Sequence, residues 1–158
     1  MRKNLLVSSL LVCVATLMGS QSVFASENWV GTWKLNTAKS TFSSDDVTRA
    51  QTLKFESTPA GIKLTAEGTD PQGKAMQAGF TSKFDGTDVA WTGNTSADIA
   101  SPKRIDDNTY ENVWKMSGKQ TMTAKVVVSD DGKTLTVTQT PTGADGQAAS
   151  SVAVYDRQ

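Results

Sequence analysis

Trp29-Val30-Gly31-Thr32-Trp33-Lys34-Leu35-Asn36 is the stretch whose reading decides the fold. It is the first β-like run after an apolar N-terminal segment. Its Gly31-Thr32-Trp33 triplet opens a series of short runs rich in Thr, Val, Leu and aromatics, the residues that pleated, half-buried strands prefer. A Gly-x-Trp opening to such a meander points to a small closed β-barrel with an interior.

Ten runs carry this composition: 29–36, 50–57, 61–68, 75–84, 87–92, 99–105, 109–116, 120–129, 133–140 and 148–156. Turn signals separate them, among them Thr58-Pro59-Ala60-Gly61, Asp70-Pro71-Gln72-Gly73, Asp85-Gly86, Gly93-Asn94, Asp106-Asp107-Asn108, Ser117-Gly118, Asp130-Asp131-Gly132 and Gly143-Ala144-Asp145-Gly146. Gly and Asn accept positive φ, and Asp closes turns through its own side chain. Several runs alternate. Ile62, Leu64 and Ala66 oppose Lys63, Thr65 and Glu67, and Leu135 and Val137 oppose Thr134, Thr136 and Thr138. One apolar and one wetted face per strand is the antiparallel pattern.

No long segment carries a 3.6-residue apolar stripe, so helix should be minimal. The best helical candidate is the Ser43–Arg49 link, where Ser43 or Ser44 can cap a turn begun by Asp45 and Asp46. The segments around Ile62–Lys74 and Lys133–Gln147 look alike, either from hairpin repetition or from hairpin physics alone. Closing such a sheet removes its edges. The expectation is an all-β domain over residues 26–158: a single antiparallel up-and-down β-barrel of about 8–10 strands, with no linker or second domain.

The N-terminal segment reads as an export signal. Arg2 and Lys3 precede an apolar run from Leu5 to Met18, and Val23-Phe24-Ala25 supplies the small residues of a cleavage site. Cleavage after Ala25 puts the mature chain in the periplasm or outside the cell. The apolar run is shorter than the roughly 20 residues a membrane span needs, although an uncleaved anchor is the structural alternative.

Cys13 is the sole cysteine and lies in that run, so the mature chain has no disulfide and no thiolate metal site. Histidine is absent, which excludes serine–histidine and cysteine–histidine nucleophile systems and removes the commonest metal ligand. Without Arg2 and Lys3, 14 basic residues face 16 acidic ones, a balance that gives no reason to expect nucleic acid. No metal or other cofactor is expected. Asp70, Asp106, Asp107, Asp130 and Asp131 lack the spacing of a calcium loop and read as turn residues. Asn94-Thr95-Ser96 is formally a glycosylation sequon.

Val30-Gly31-Thr32-Trp33-Lys34-Leu35 resembles the opening strand of the calycin superfamily, the lipocalins and the intracellular fatty-acid-binding proteins. The resemblance implies that Trp33 plugs one end of the barrel, packed against an Arg from the final strands, Arg157 or Arg104. The ending Val154-Tyr155-Asp156-Arg157 is similar to the last strand of a fatty-acid-binding protein, whose Arg-x-Tyr pair grips a carboxylate. Tyr155 matches the Tyr, but Ala153 stands at the Arg position. Those proteins also carry a helix-turn-helix lid between the first two strands, for which Thr37 to Arg49 leaves no room. The whole mature chain more closely resembles a group of small exported bacterial lipocalin-like proteins. The shared pattern is Gly31–Asn36, Ala38-Lys39-Ser40, Lys103–Glu111 and Val152-Ala153-Val154-Tyr155.

The candidate cavity residues are Trp91, Arg104, Tyr110, Trp114, Met122 and Tyr155. Amphipathic aromatics suit a ligand wall as well as a core, and Met76, Met116 and Met122 can adapt to a ligand or fill gaps. Arg104, beside Lys103, either meets an anionic group inside or sits on the surface near Asp106 and Asp107. Three functions remain: a carrier of a small hydrophobic molecule, a non-catalytic envelope interaction or inhibitor module with an unknown protein partner, and an enzyme using a carboxylate or tyrosine in the barrel. Glu56, Glu67 and Glu111 are available for the last, yet no carboxylate pair is identifiable, so a non-enzymatic role is expected.

Overall fold

A computed structural model describes residues 28–43, 49–70, 72–93, 96–143 and 149–158. The export segment with Cys13 lies outside the described residues. So do most of the Ser43–Arg49 link, Asn94 and Thr95 of the sequon, and residues 144–148.

Ten strands follow one another: β1 (Gly31–Leu35), β2 (Arg49–Thr58), β3 (Gly61–Thr69), β4 (Ala75–Ser82), β5 (Val89–Ala90), β6 (Ile99–Arg104), β7 (Thr109–Met116), β8 (Lys119–Val128), β9 (Thr134–Pro141) and β10 (Ser151–Arg157). They form one antiparallel sheet in the order β4-β3-β2-β1-β10-β9-β8-β7-β6-β5. The terminal strands meet in the middle of that order, with Trp33 opposite Arg157 and Leu35 opposite Tyr155. The sheet closes on itself where Gly79 and Thr92 exchange backbone hydrogen bonds of 3.0 Å. At this junction Gly93 (φ +74°) lies so close to β4 that a Cβ on it would stand 2.0 Å from the Gln77 carbonyl oxygen. A side chain there would pry the closure apart.

Each expected strand has a counterpart, and the differences are local. Trp29 falls in a turn before β1 rather than in the strand. β5 is only two residues long and has one full ladder, with β6. The helical element among the described residues is a 3-10 turn, Thr37–Lys39. Asn36 caps it, its Oδ1 accepting from the Lys39 N–H at 3.2 Å. The turn is docked on β10: Asn36 Nδ2 and Lys39 Nζ donate to the Asp156 carboxylate at 2.6 and 2.9 Å, and the Asn36 bond, aided by Lys39, holds that carboxyl below its usual range. No helix of the described residues is long and apolar enough to cross a membrane.

Period-two alternation fills the interior. Leu53 and Phe55, Ile62, Leu64 and Ala66, Ala78 and Phe80, Val126 and Val128, and Leu135 and Val137 all point inward and are buried. An up-and-down meander puts its connections alternately at two ends. One end gathers the β2–β3, β4–β5, β6–β7 and β8–β9 turns, and the other gathers the rest.

Candidate functional site

The first of these ends is sealed. Trp33 is 0% exposed, and its indole N–H donates to the Trp29 carbonyl at 2.8 Å. The Arg157 guanidinium lies over the Trp33 ring, 4.1 Å from its centroid, and is itself held by the carbonyls of Asn28, Val30 and Gly132. A cation over an indole face is attractive and also covers the ring from water. Gly31 explains how the arginine fits. Its φ is +142°, and a Cβ there would stand 2.6 Å from Arg157 Nη1. Of the two arginines considered as partners of Trp33, Arg157 is therefore the one in place. Behind this plug, Trp29, Phe55, Phe84 and Tyr110 pack ring against ring, with centroids 4.9–6.1 Å apart.

Above the plug lies a cavity of about 820 Å³, within the range of ligand sites. It reaches the other end of the barrel, where Phe42, Gln72, Lys74, Gly93 and Ser96 border it. Five of the sequence candidates come together here: Trp91, Tyr110, Trp114, Met122 and Tyr155 all line the cavity, as does Met76. Trp91 and Trp114 lie with ring centroids 5.2 Å apart, and the indole N–H of each is buried without a hydrogen-bond partner.

Arg104 is not among them, and this corrects the expectation. It stands opposite Tyr110 across the β6–β7 ladder but at the last residue of β6, by the sealed end. Its side chain turns to the following turn, bonding the Asp106 carbonyl at 3.3 Å and the Asp107 carboxylate. Alternation assigns a face to a residue; only position along the strand says whether that face still bounds the interior. Met116, at the far end of β7, is likewise absent from the cavity wall. The strand glutamates also face away: Glu56 pairs with Lys54, Glu67 accepts from Gln77, and Glu111 is exposed.

The polar residues of the wall were missed in sequence. Asn112 is 4% exposed on β7 between Tyr110 and Trp114, and Gln139 continues the inward face of Leu135 and Val137 on β9. The signal was present as a polar residue interrupting an apolar alternation. Asn112 Oδ1 accepts from the Ser101 N–H at 3.0 Å. The Tyr155 hydroxyl donates to the Ala50 carbonyl at 3.0 Å, beside a register shift in β2. Ala153, at the place of the fatty-acid clamp's arginine, is a buried wall residue. Burial raises the phenol pKa of both tyrosines, and Tyr155 nearby raises that of Tyr110 further.

Comparison with models of protein families gives no match, and no curated protein matches the sequence. The molecule is thus defined by its own geometry: a nearly closed ten-stranded antiparallel barrel, plugged at one end and hollow toward the other.

Proposed function

We propose that this chain is an exported, lipocalin-like binding protein that holds a small, mostly apolar molecule in its barrel, with no catalytic role. The observation that carries this reading is the 820 Å³ cavity. A chain of this size that needed its interior only for stability would fill it, since cores pack to crystal-like density and voids cost stability. Its wall is built chiefly of Leu, Ala, Val, Met and aromatic side chains. The basic start, apolar run and small-residue cleavage site of residues 1–25 support export to the periplasm or beyond.

The outer surface favours the carrier over a docking module. Among the described residues, Ile105 at 52% is the one large hydrophobic side chain exposed, and contiguous apolar patches are what docking surfaces usually show. Native mass spectrometry of the protein purified without detergent from its source host tests the reading. A bound small-molecule mass that is released on unfolding is the expected result. An experimental structure with a filled interior and no room for a guest would overturn it.

A further inference from the structure

We propose that the cavity selects neutral, mostly apolar molecules bearing a carbonyl oxygen, and that Asn112 receives that oxygen. This rests on the binding-protein reading and narrows it to a class of ligand.

The orientation of the Asn112 amide follows from chemistry. A backbone N–H can only donate, so the atom 3.0 Å from Ser101 N is the amide oxygen. The Nδ2 group is left with two donors and no partner among the described residues, on a side chain that is 4% exposed and lines the cavity. Facing the cavity, these donors are free to be taken up by an acceptor oxygen of a ligand. Register makes room for such a ligand. Asn112 is opposite Ala124 and Ala124 is opposite Gln139, so the two amides flank a residue that projects only a methyl group. Two positions away on the same face of β7, about 7 Å along the strand, the Tyr110 hydroxyl makes no hydrogen bond to the described residues. Burial keeps it protonated and able to donate.

Charge excludes the neighbouring ligand classes. Among the described residues, the charged ones bordering the cavity are Asp70 and Lys74, both at the β3–β4 connection at its outer end. Asp70 already accepts from the backbone of Gln72 and Lys74. Among the described residues, Asn112 has beside it no cation to neutralise a buried carboxylate and no anion to neutralise an amine. The inward carbonyl of Ala50 is taken by Tyr155. What the deep wall offers is uncharged polar groups, the Asn112 and Tyr110 donors among them, with Trp91 and Trp114 to cover an apolar body.

The test is a matched series, tridecan-2-one, n-dodecane and dodecanoate, each competing at pH 8 with the neutral dye N-phenyl-1-naphthylamine for the purified chain. The ketone is expected to bind about tenfold more tightly than either of the others, as one or two neutral hydrogen bonds allow. Asn112→Ala should bring the ketone down to the alkane's affinity and leave the alkane unchanged. Tyr110→Phe, which keeps the ring and removes only the hydroxyl, should weaken the ketone a few-fold. It decides the matter should Asn112→Ala fail to fold. Equal affinity of ketone and alkane in the parent protein overturns this proposal alone, as does a preference for dodecanoate. Failure to bind the dye and every member of the series overturns the carrier reading with it.

Discussion

At the sealed end Trp33 donates its indole N–H to the Trp29 carbonyl and lies under Arg157, which three backbone carbonyls hold in place. Across the barrel Trp91 and Trp114 pack against each other on the cavity wall with both N–H groups unpaired. The same side chain is used in two ways. In the plug its apolar body and polar handle are both spent on the protein itself, apart from the unpaired indole N–H of Trp29. Around the cavity the body forms a wall, and much of the polar capacity of that wall is unspent. A barrel packed ring against ring at one end and hollow with polar groups to spare at the other has divided its interior into a part that stabilises and a part that receives.

Truncation tests that division most directly. Trp33→Ala is expected to cost about 3–5 kcal/mol, because it opens a void in packed surroundings and strands Arg157. Trp114→Ala removes a half-buried ring that already faces the cavity, so contacts are lost from one side only and the cost should be clearly smaller. Denaturant unfolding of both variants measures the difference. Equal costs would mean that the two ends are one core.

Alkaline pH probes the tyrosines at the boundary between the ends. Both phenols are raised above 10.0 in the folded chain, chiefly by burial. Below pH 10 each is protonated whether folded or not, and their contribution is intact. Above it the unfolded chain releases protons that the folded chain keeps, so stability falls as pH rises, by about 1.4 kcal/mol per pH unit for each tyrosine. Urea midpoints between pH 9 and 11 should show this decline, and Tyr110→Phe should halve its slope. A slope unchanged in the variant would show that Tyr110 titrates freely.

Gly31 and Arg157 test whether the plug is one unit. Gly31→Ala should destabilise by about 1–3 kcal/mol, partly from its φ of +142° and partly from the clash with Arg157. In an Arg157→Ala background the clash disappears and the backbone strain remains, so the two losses should sum to less than additivity. Strict additivity in a double-mutant cycle would separate the glycine from the arginine.

The strand series was legible in the chain because it rests on local rules, period-two alternation and turn residues with positive φ; the plug was legible only through the family resemblance that the Gly-x-Trp pair carries. The cavity wall was legible in part. Trp91, Tyr110, Trp114, Met122 and Tyr155 stood out as large amphipathic or flexible side chains on apolar faces, and they do meet. Arg104 stayed open between the cavity and the surface by Asp106 and Asp107, because pattern gives the face and says nothing of depth along the barrel axis; the structure places it at the second. The turn expected at Ser43–Arg49 lies mostly outside the described residues, and the described turn capped by Asn36 had no signal of its own in the sequence. Its docking on Asp156 depends on β10 lying beside β1, a contact between residues 120 positions apart. Asn112 escaped notice because a lone asparagine in a strand carries no motif; only the Ser101 N–H reaching its oxygen shows which half of the amide is left over.

The smallest expected effect is the sharpest contrast. Trp33→Phe keeps an aromatic ring under Arg157 but removes the N–H that the Trp29 carbonyl accepts, leaving a buried acceptor unmet at a cost of about 1–2 kcal/mol. Trp114→Phe makes the same chemical change where the N–H has no partner to lose. Removing an unmet donor offsets the lost ring area, so stability there should stay within about 0.5 kcal/mol of the parent. Thermal or urea unfolding of the two variants side by side gives the answer. Were Trp114→Phe to cost as much as Trp33→Phe, its indole N–H would have to be bonded in solution, and the cavity wall would hold less unspent capacity than its geometry implies.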